Sequence, residues 1–184
     1  ITDETVTIKD EEELDIGSRK LKFYITPMVH WPETMMTFDL KSNMLFSGDA
    51  FGGFGTLDGG IFDDEVNMNF YSEETLRYYS NIIGKYSPMV QRAIKKLKTL
   101  DIKIIGATHG PVLRQNPMKQ VDNYDKWSSF QTEKGVVIAY ASMYGNTKVL
   151  AEAIARSVSE KGIENIKLFD VSRQHLSYAI ANIW

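Results

Sequence analysis

The sequence predicts an α/β chain in two parts, a paired sheet with separate helices over residues 1–132 and the start of a parallel sheet over 133–184. Three observations predict this. Short alternating segments in the first stretch are joined by polar turns, the pattern of antiparallel pairing. In the last stretch "VVIAYASMYGNTKVLAEAIARSVSEKG" followed by "IKLFDVS" reads strand, tight loop, helix, strand, and such a crossover joins parallel strands. Between them lies "QTEKG", Gln131 to Gly135, a polar joint of linker length that places a boundary near residue 133.

Taken in order, "TVTIKD" (Thr5 to Asp10) and "RKLKFYI" (Arg19 to Ile25) alternate as strands do. "TMMTFDLKSNMLFSGD" predicts a hairpin, with strands Thr34 to Phe38 and Met44 to Ser47 about the turn "DLKSN". "SEETLRYYSNIIGKYS" predicts a helix capped by Ser72, and "PMVQRAIKKLKTL" a second helix with Pro88 in its first turn. Met89, Val90, Ala93, Ile94, Leu97 and Leu100 form the apolar stripe of the second. "DIKIIGATHG" predicts a short buried strand running into a loop, and "NPMKQVDNYDKWSSF" a helix with proline near its start. The last residues, "LSYAIANIW", place Leu176, Ala179, Ile180 and Ile183 on one helical face with nothing after them to cover it.

The totals exclude several function classes. The 184 residues carry a net charge of −3 with both signs interspersed, so nothing draws the chain to nucleic acid or a membrane surface. There is no cysteine, which removes disulfides, thiolate metal sites and thiol nucleophiles together and fits a reducing, cytoplasmic setting. No run reaches the ~20 apolar residues of a membrane span. The chain opens on "ITDETV" without methionine, and neither half has enough elements for a complete core, so the sequence predicts an internal segment of a larger two-domain protein.

Two constellations carry chemistry. His30 in "PMVHWPE", Asp49 in "FSGDAFGGFG" and His109 in "GATHGPV" each follow a predicted strand and can converge on one sheet edge. Histidine and carboxylate bind iron, zinc or manganese where cysteine is absent, although each alone is also an ordinary loop residue. The third histidine, His175, has no such context and reads as a surface or partner-facing residue. The second constellation is Ser142, Met143, Tyr144, Gly145, Asn146 and Thr147, at the exit of the first strand of the parallel unit. Hydroxyls at both ends of a tight strand-to-helix loop, with free amides and a helix N-terminus, make a phosphate cradle. No G-K-[ST] or G-x-G-x-x-G is present, so a monophosphate fits better than a triphosphate or a dinucleotide; simple capping by Asn146 or Thr147 is the competing reading.

"ASMYGNTKVLAEAIA" resembles the phosphate-binding loop of flavodoxins, while "HWPETMMTF", "FSGDAFG" and "ATHGPV" together resemble the second half of the metallo-β-lactamase-like domain of flavodiiron proteins. That family fuses these two domains in this order, and the resemblance covers essentially the whole chain. It implies the C-terminal half of a metallo-β-lactamase-like αββα domain over 1–132, then the first βαβα part of a flavodoxin-like doubly wound domain over 133–184. It implies further that His30 ligates one iron, Asp49 bridges both irons of a diiron centre, His109 ligates the second, and residues 142–147 hold the FMN phosphate. The family's upstream H-x-E-x-D ligand cluster and its later loops around the flavin ring have no counterpart in this sequence. The activity implied is reduction of O2 to water or of NO to N2O, with electrons from rubredoxin or another reductase passing through FMN, in a head-to-tail homodimer or tetramer. The alternative is a dizinc hydrolase of the same superfamily, in which a metal-bound hydroxide attacks an ester or amide.

Overall fold

The computed structural model describes residues 5–184. The first sheet has five strands in the order β1 (Glu13–Asp15), β2 (Lys20–Ile25), β3 (Met35–Asp39), β4 (Met44–Gly48) and β5 (Ile104–Ala107). The first three pairings are antiparallel and β4–β5 is parallel. Two reversals lie between β2 and β4, so β2, β4 and β5 all point the same way and their C-terminal ends share one edge of the sheet.

The pleat divides the side chains. Tyr24, Met36, Phe38, Leu45 and Ile105 stand on the face that carries the core, and all are almost fully buried. On the other face Phe46, flanked by Thr37 and Gly106 in the ladder, is 47% exposed. The core face is covered by α1 (Met68–Tyr78), a π-helical turn at Tyr79–Ile83, a 3₁₀ turn at Gly84–Tyr86, α2 (Ser87–Leu97) and α3 (Pro117–Ser128). In α2 the predicted stripe packs inward, with Val90, Ala93, Ile94 and Leu97 buried and Met89 and Leu100 at its margin. Pro88 sits in the first turn of α2 and Pro117 opens α3, positions where no amide is needed for the helix ladder.

The second sheet pairs β6 (Val136–Tyr140) with β7 (Ile166–Asp170) in parallel across α4 (Asn146–Glu160), and the chain ends in α5 (Leu176–Ala181). No helix among the described residues is long and apolar enough to cross a membrane.

Three expectations are corrected. Thr5 to Asp10 forms no strand; the edge of β2 is taken by β1 instead, and the Asp10 carboxylate accepts from the Ile25 amide at 2.8 Å. An alternating sequence becomes a strand only where a free edge meets it. The first helix starts a turn before Ser72, capped by Asn67, because Tyr71, Thr75 and Tyr78 extend its buried stripe backwards and Asn is as good a cap as Ser. The last helix stops at Ala181, so Ile183 is not on its face. Its buried residues are Ser177, Ala179 and Ala181, while Leu176 and Ile183 are exposed. This small-residue face packs on α1 and the π-helical turn and is not left uncovered.

Candidate metal centre and phosphate loop

His30, Asp49 and His109 leave β2, β4 and β5 at the shared edge, and Asp49 lies between the two imidazoles. His30 Nε2 is 3.2 Å from Asp49 Oδ2, and His109 Nε2 is 3.6 Å from Asp49 Oδ1. Each imidazole therefore faces a different oxygen of one carboxylate. This is an arrangement of two pairs; among the described residues no group of three or more His, Asp or Glu is placed to hold a metal ion. A metal in either pair would take its remaining donors from elsewhere, since tetrahedral and octahedral sites need four to six.

The loops that hold these side chains are locked together. Gly48, at φ +60°, and Phe51, at φ +68°, turn the chain sharply on either side of Asp49. The Thr108 amide donates to the Gly48 carbonyl and the Thr108 hydroxyl donates to Asp49 Oδ1 at 2.6 Å. The glycines after Asp49 serve close approach. A Cβ on Gly52 would meet the His109 carbonyl oxygen at 2.6 Å and Nδ1 at 3.0 Å, and one on Gly53 would meet Thr75 Oγ1 at 2.7 Å. His109 Nδ1 is 3.3 Å from the Gly53 carbonyl, which orients the ring with Nε2 toward Asp49.

Aromatic rings wall the site. Trp31 lies 5.3 Å from the His30 ring and is 58% exposed. Tyr78 meets His109 edge-on at 4.7 Å. Burial, followed by the negative charge of Asp49, drives the Tyr78 phenol well above its ordinary range. The Tyr78 hydroxyl is buried without a hydrogen-bond partner. Sequence reading missed Thr108 and Tyr78. Thr108 stood beside a singled-out histidine, whereas Tyr78 in "RYYS" carries no local sign that it reaches residue 109.

In the second sheet the loop after β6 places Ser142 inside and Met143 and Tyr144 outside, the latter two 84% and 87% exposed. Gly145, at φ +89°, is the N-cap of α4, and no side chain caps this helix. Asn146 and Thr147 are its first residues, both exposed, so capping does not account for them. The Ser142 hydroxyl is buried and has no partner. It borders a cleft of about 310 Å³ with Tyr140, Gly145, Lys148, Asp170 and Arg173. A buried, unsatisfied hydroxyl beside the free amides of a helix N-terminus suits an anion's oxygen atoms. His175 is exposed, and its ring accepts from the Ser177 amide to cap α5.

Comparison with known proteins agrees with this architecture. Residues 1–110 match the family described as "ODP family beta lactamase". The chain is 37% identical over 182 residues to the anaerobic nitric oxide reductase flavorubredoxin of Vibrio vulnificus, covering 97% of this chain and 37% of that protein. It superimposes with a TM-score of 0.88 on the flavodiiron protein of Giardia intestinalis, at 29% identity over 96% of this chain and 43% of that one. It superimposes equally well on the rubredoxin oxygen:oxidoreductase of Desulfovibrio gigas, with a TM-score of 0.88 at 28% identity over 97% of this chain and 45% of that one. The chain thus spans less than half the length of these relatives. With a metallo-β-lactamase-like fold in its first sheet and a likeness that runs along almost its whole length, the chain belongs to the ODP beta-lactamase family and corresponds to a partial segment of a flavodiiron protein.

Proposed function

We propose that this chain is part of an oxidoreductase that reduces O2 to water, NO to N2O, or both, at a non-haem diiron centre supplied with electrons through FMN. Residues 1–132 form its metal-binding part and residues 133–184 begin its flavodoxin-like part. The observation that carries the reading is the single carboxylate of Asp49 set between two imidazoles, each facing a different oxygen. A bridging ligand requires this divergence, and nitrogen and oxygen donors without thiolates suit iron.

When bound, iron and FMN supply the redox chemistry. The chain's own residues hold and orient. His30 and His109 each present Nε2 to one side of Asp49; Thr108 holds the carboxylate by its hydroxyl, and the Gly53 carbonyl fixes the tautomer and tilt of His109. Ser142, Gly145, Asn146 and Thr147 offer hydroxyls and amides to the FMN phosphate, with Met143 and Tyr144 projecting from the loop around it. Rubredoxin or another reductase is the donor, and a head-to-tail dimer or tetramer brings the flavin of one subunit to the irons of the next. The relatives named for nitric oxide and oxygen reduction support this reading.

The test is a pair of variants in the full-length protein that carries this chain. Asp49→Ala lowers iron content well below two per subunit with FMN retained, and Thr147→Val weakens FMN binding with iron retained. Retained two-iron stoichiometry in Asp49→Ala rejects the bridging role. Purification with zinc and hydrolysis of esters or amides without flavin would establish the dizinc hydrolase instead.

A further inference from the structure

Arg77, on α1, lies outside the metal centre and the phosphate loop, yet touches both parts of the chain. Its guanidinium is sandwiched, with its central carbon 4.6 Å from the ring centroid of Phe54 on one side and 4.6 Å from that of Tyr178 on the other. Phe54 belongs to the glycine loop after Asp49, and Tyr178 to α5. Nε and one terminal nitrogen donate to Glu74, and the other terminal nitrogen donates to the Ser177 hydroxyl at 3.1 Å.

Around this sandwich the C-terminal residues dock on the segment that follows Arg77. The Asn81 amide donates to the Ser177 carbonyl at 3.1 Å. Trp184 meets Tyr79 edge-on at 5.6 Å and lies over Gly84, where an added Cβ would come within 2.6 Å of the indole. Its indole nitrogen donates to the Trp127 carbonyl at 3.0 Å.

On its other side the sandwich leads to His109 by two routes. Phe54 meets Tyr78 edge-on at 5.1 Å, and Tyr78 meets His109 edge-on at 4.7 Å. Phe54 also directly follows Gly53, whose carbonyl is the partner of His109 Nδ1. A shift of the Phe54 ring thus reaches His109 through packed rings and through the backbone acceptor.

We propose that Arg77 is a positioning residue for His109, and that docking of residues 177–184 sets the imidazole through Phe54 and Tyr78. The planar guanidinium suits this role because it stacks on two rings while its edge stays hydrogen-bonded, which an ammonium does not do. The His30 ring packs on Trp31 and meets His109 through the shared Asp49 carboxylate rather than through these rings, so the device acts first and most strongly on His109. The inference rests on the reading of His109 as a ligand, but its test is read without metal, so the failure of one is separable from the failure of the other.

In the metal-free, full-length protein that carries this chain, the ring signals of His30, His109 and His175 are assigned by single His→Gln substitutions. At one fixed pH, these signals are compared between the unaltered protein, Arg77→Lys and Tyr178→Ala. Tyr178 is 45% exposed, so its loss leaves the fold intact even if Arg77→Lys does not fold. The expected result is displaced signals for His109 and for His175 at the start of α5, with those of His30, linked only through Asp49, displaced less. In a Phe54→Leu background the Tyr178→Ala displacement of His109 should disappear, as a double-mutant cycle requires of a shared route. Displacement of His175 with His109 unmoved would reduce Arg77 to an anchor for α5 and overturn the proposal. Equal displacement of His30 and His109 would signify general loosening and overturn it as well.

Discussion

Gly52 offers the sharpest test of how the proposed metal centre is held. Its backbone is in an ordinary region, so alanine there carries no conformational penalty, and the whole effect comes from one methyl group. That methyl would sit 2.6 Å from the His109 carbonyl oxygen, 3.0 Å from Nδ1 and 3.2 Å from Cε1. The nearest of these is backbone, which cannot swing aside, so the loops carrying Asp49 and His109 must part. Overpacking of this kind costs about 1–3 kcal/mol. At roughly 2–4 °C per kcal/mol for a chain of this size, melting falls by about 2–12 °C. The His109 ring loses its alignment with Asp49, and iron affinity falls roughly 10–100-fold, as when a ligand's supporting contact is removed. Gly17→Ala is the control. Gly17, at φ +88°, has nothing within 4 Å of an added Cβ, so alanine there costs about 1–2 kcal/mol of left-handed strain far from the site. The assay is thermal melting by circular dichroism with ferrous iron titration on both variants. Equal iron affinity in Gly52→Ala and the unaltered protein would refute the claim that close loop packing positions His109.

Other outcomes are expected from the same structure. Ser142→Ala removes a buried hydroxyl that has no partner, so the FMN-free protein should be more stable by up to about 1–3 kcal/mol, while FMN binds about 10–100-fold more weakly by fluorescence titration. Loss of stability with unchanged FMN affinity would contradict the phosphate role. Thr108→Val deletes the 2.6 Å bond to Asp49 and should lower iron affinity, though less than Asp49→Ala, in the same titration. The Lys98 ammonium, with help from the Gln91 amide, holds the Asp125 carboxyl below the usual carboxylate range. That contribution is present above the unfolded value, near pH ~4, and is lost as pH falls through the lowered one. Asp125→Asn should therefore lower stability at neutral pH by about 0.2–1 kcal/mol for a partly exposed pair, read as a lower melting temperature, and the difference should close below pH ~4.

What the sequence determined by itself was local. The period of the apolar residues placed α2, proline marked the first turns of α2 and α3, and the polar turn "DLKSN" made the hairpin of β3 and β4. These follow from propensities and spacings that act within a few residues. The sequence also showed His30, Asp49 and His109 each after a strand. Their meeting depends on β2, β4 and β5 pointing the same way, and that is a property of strand pairing, which no local pattern contains. Tertiary structure alone decided the rest. It gave the edge of β2 to Glu13–Asp15 and left Thr5 to Asp10 without a strand to pair with, and it started α1 at Met68, capped by Asn67, because the buried stripe continued that far. It turned α5 onto α1 by its small residues and Arg77, since small side chains let the two helices approach and the guanidinium meets the Tyr178 ring. Tyr78 likewise reaches His109 by packing between elements, its ring edge-on to the imidazole. A contact between residues distant in the chain is chosen by the packing of whole elements, after each element has been fixed by its own sequence.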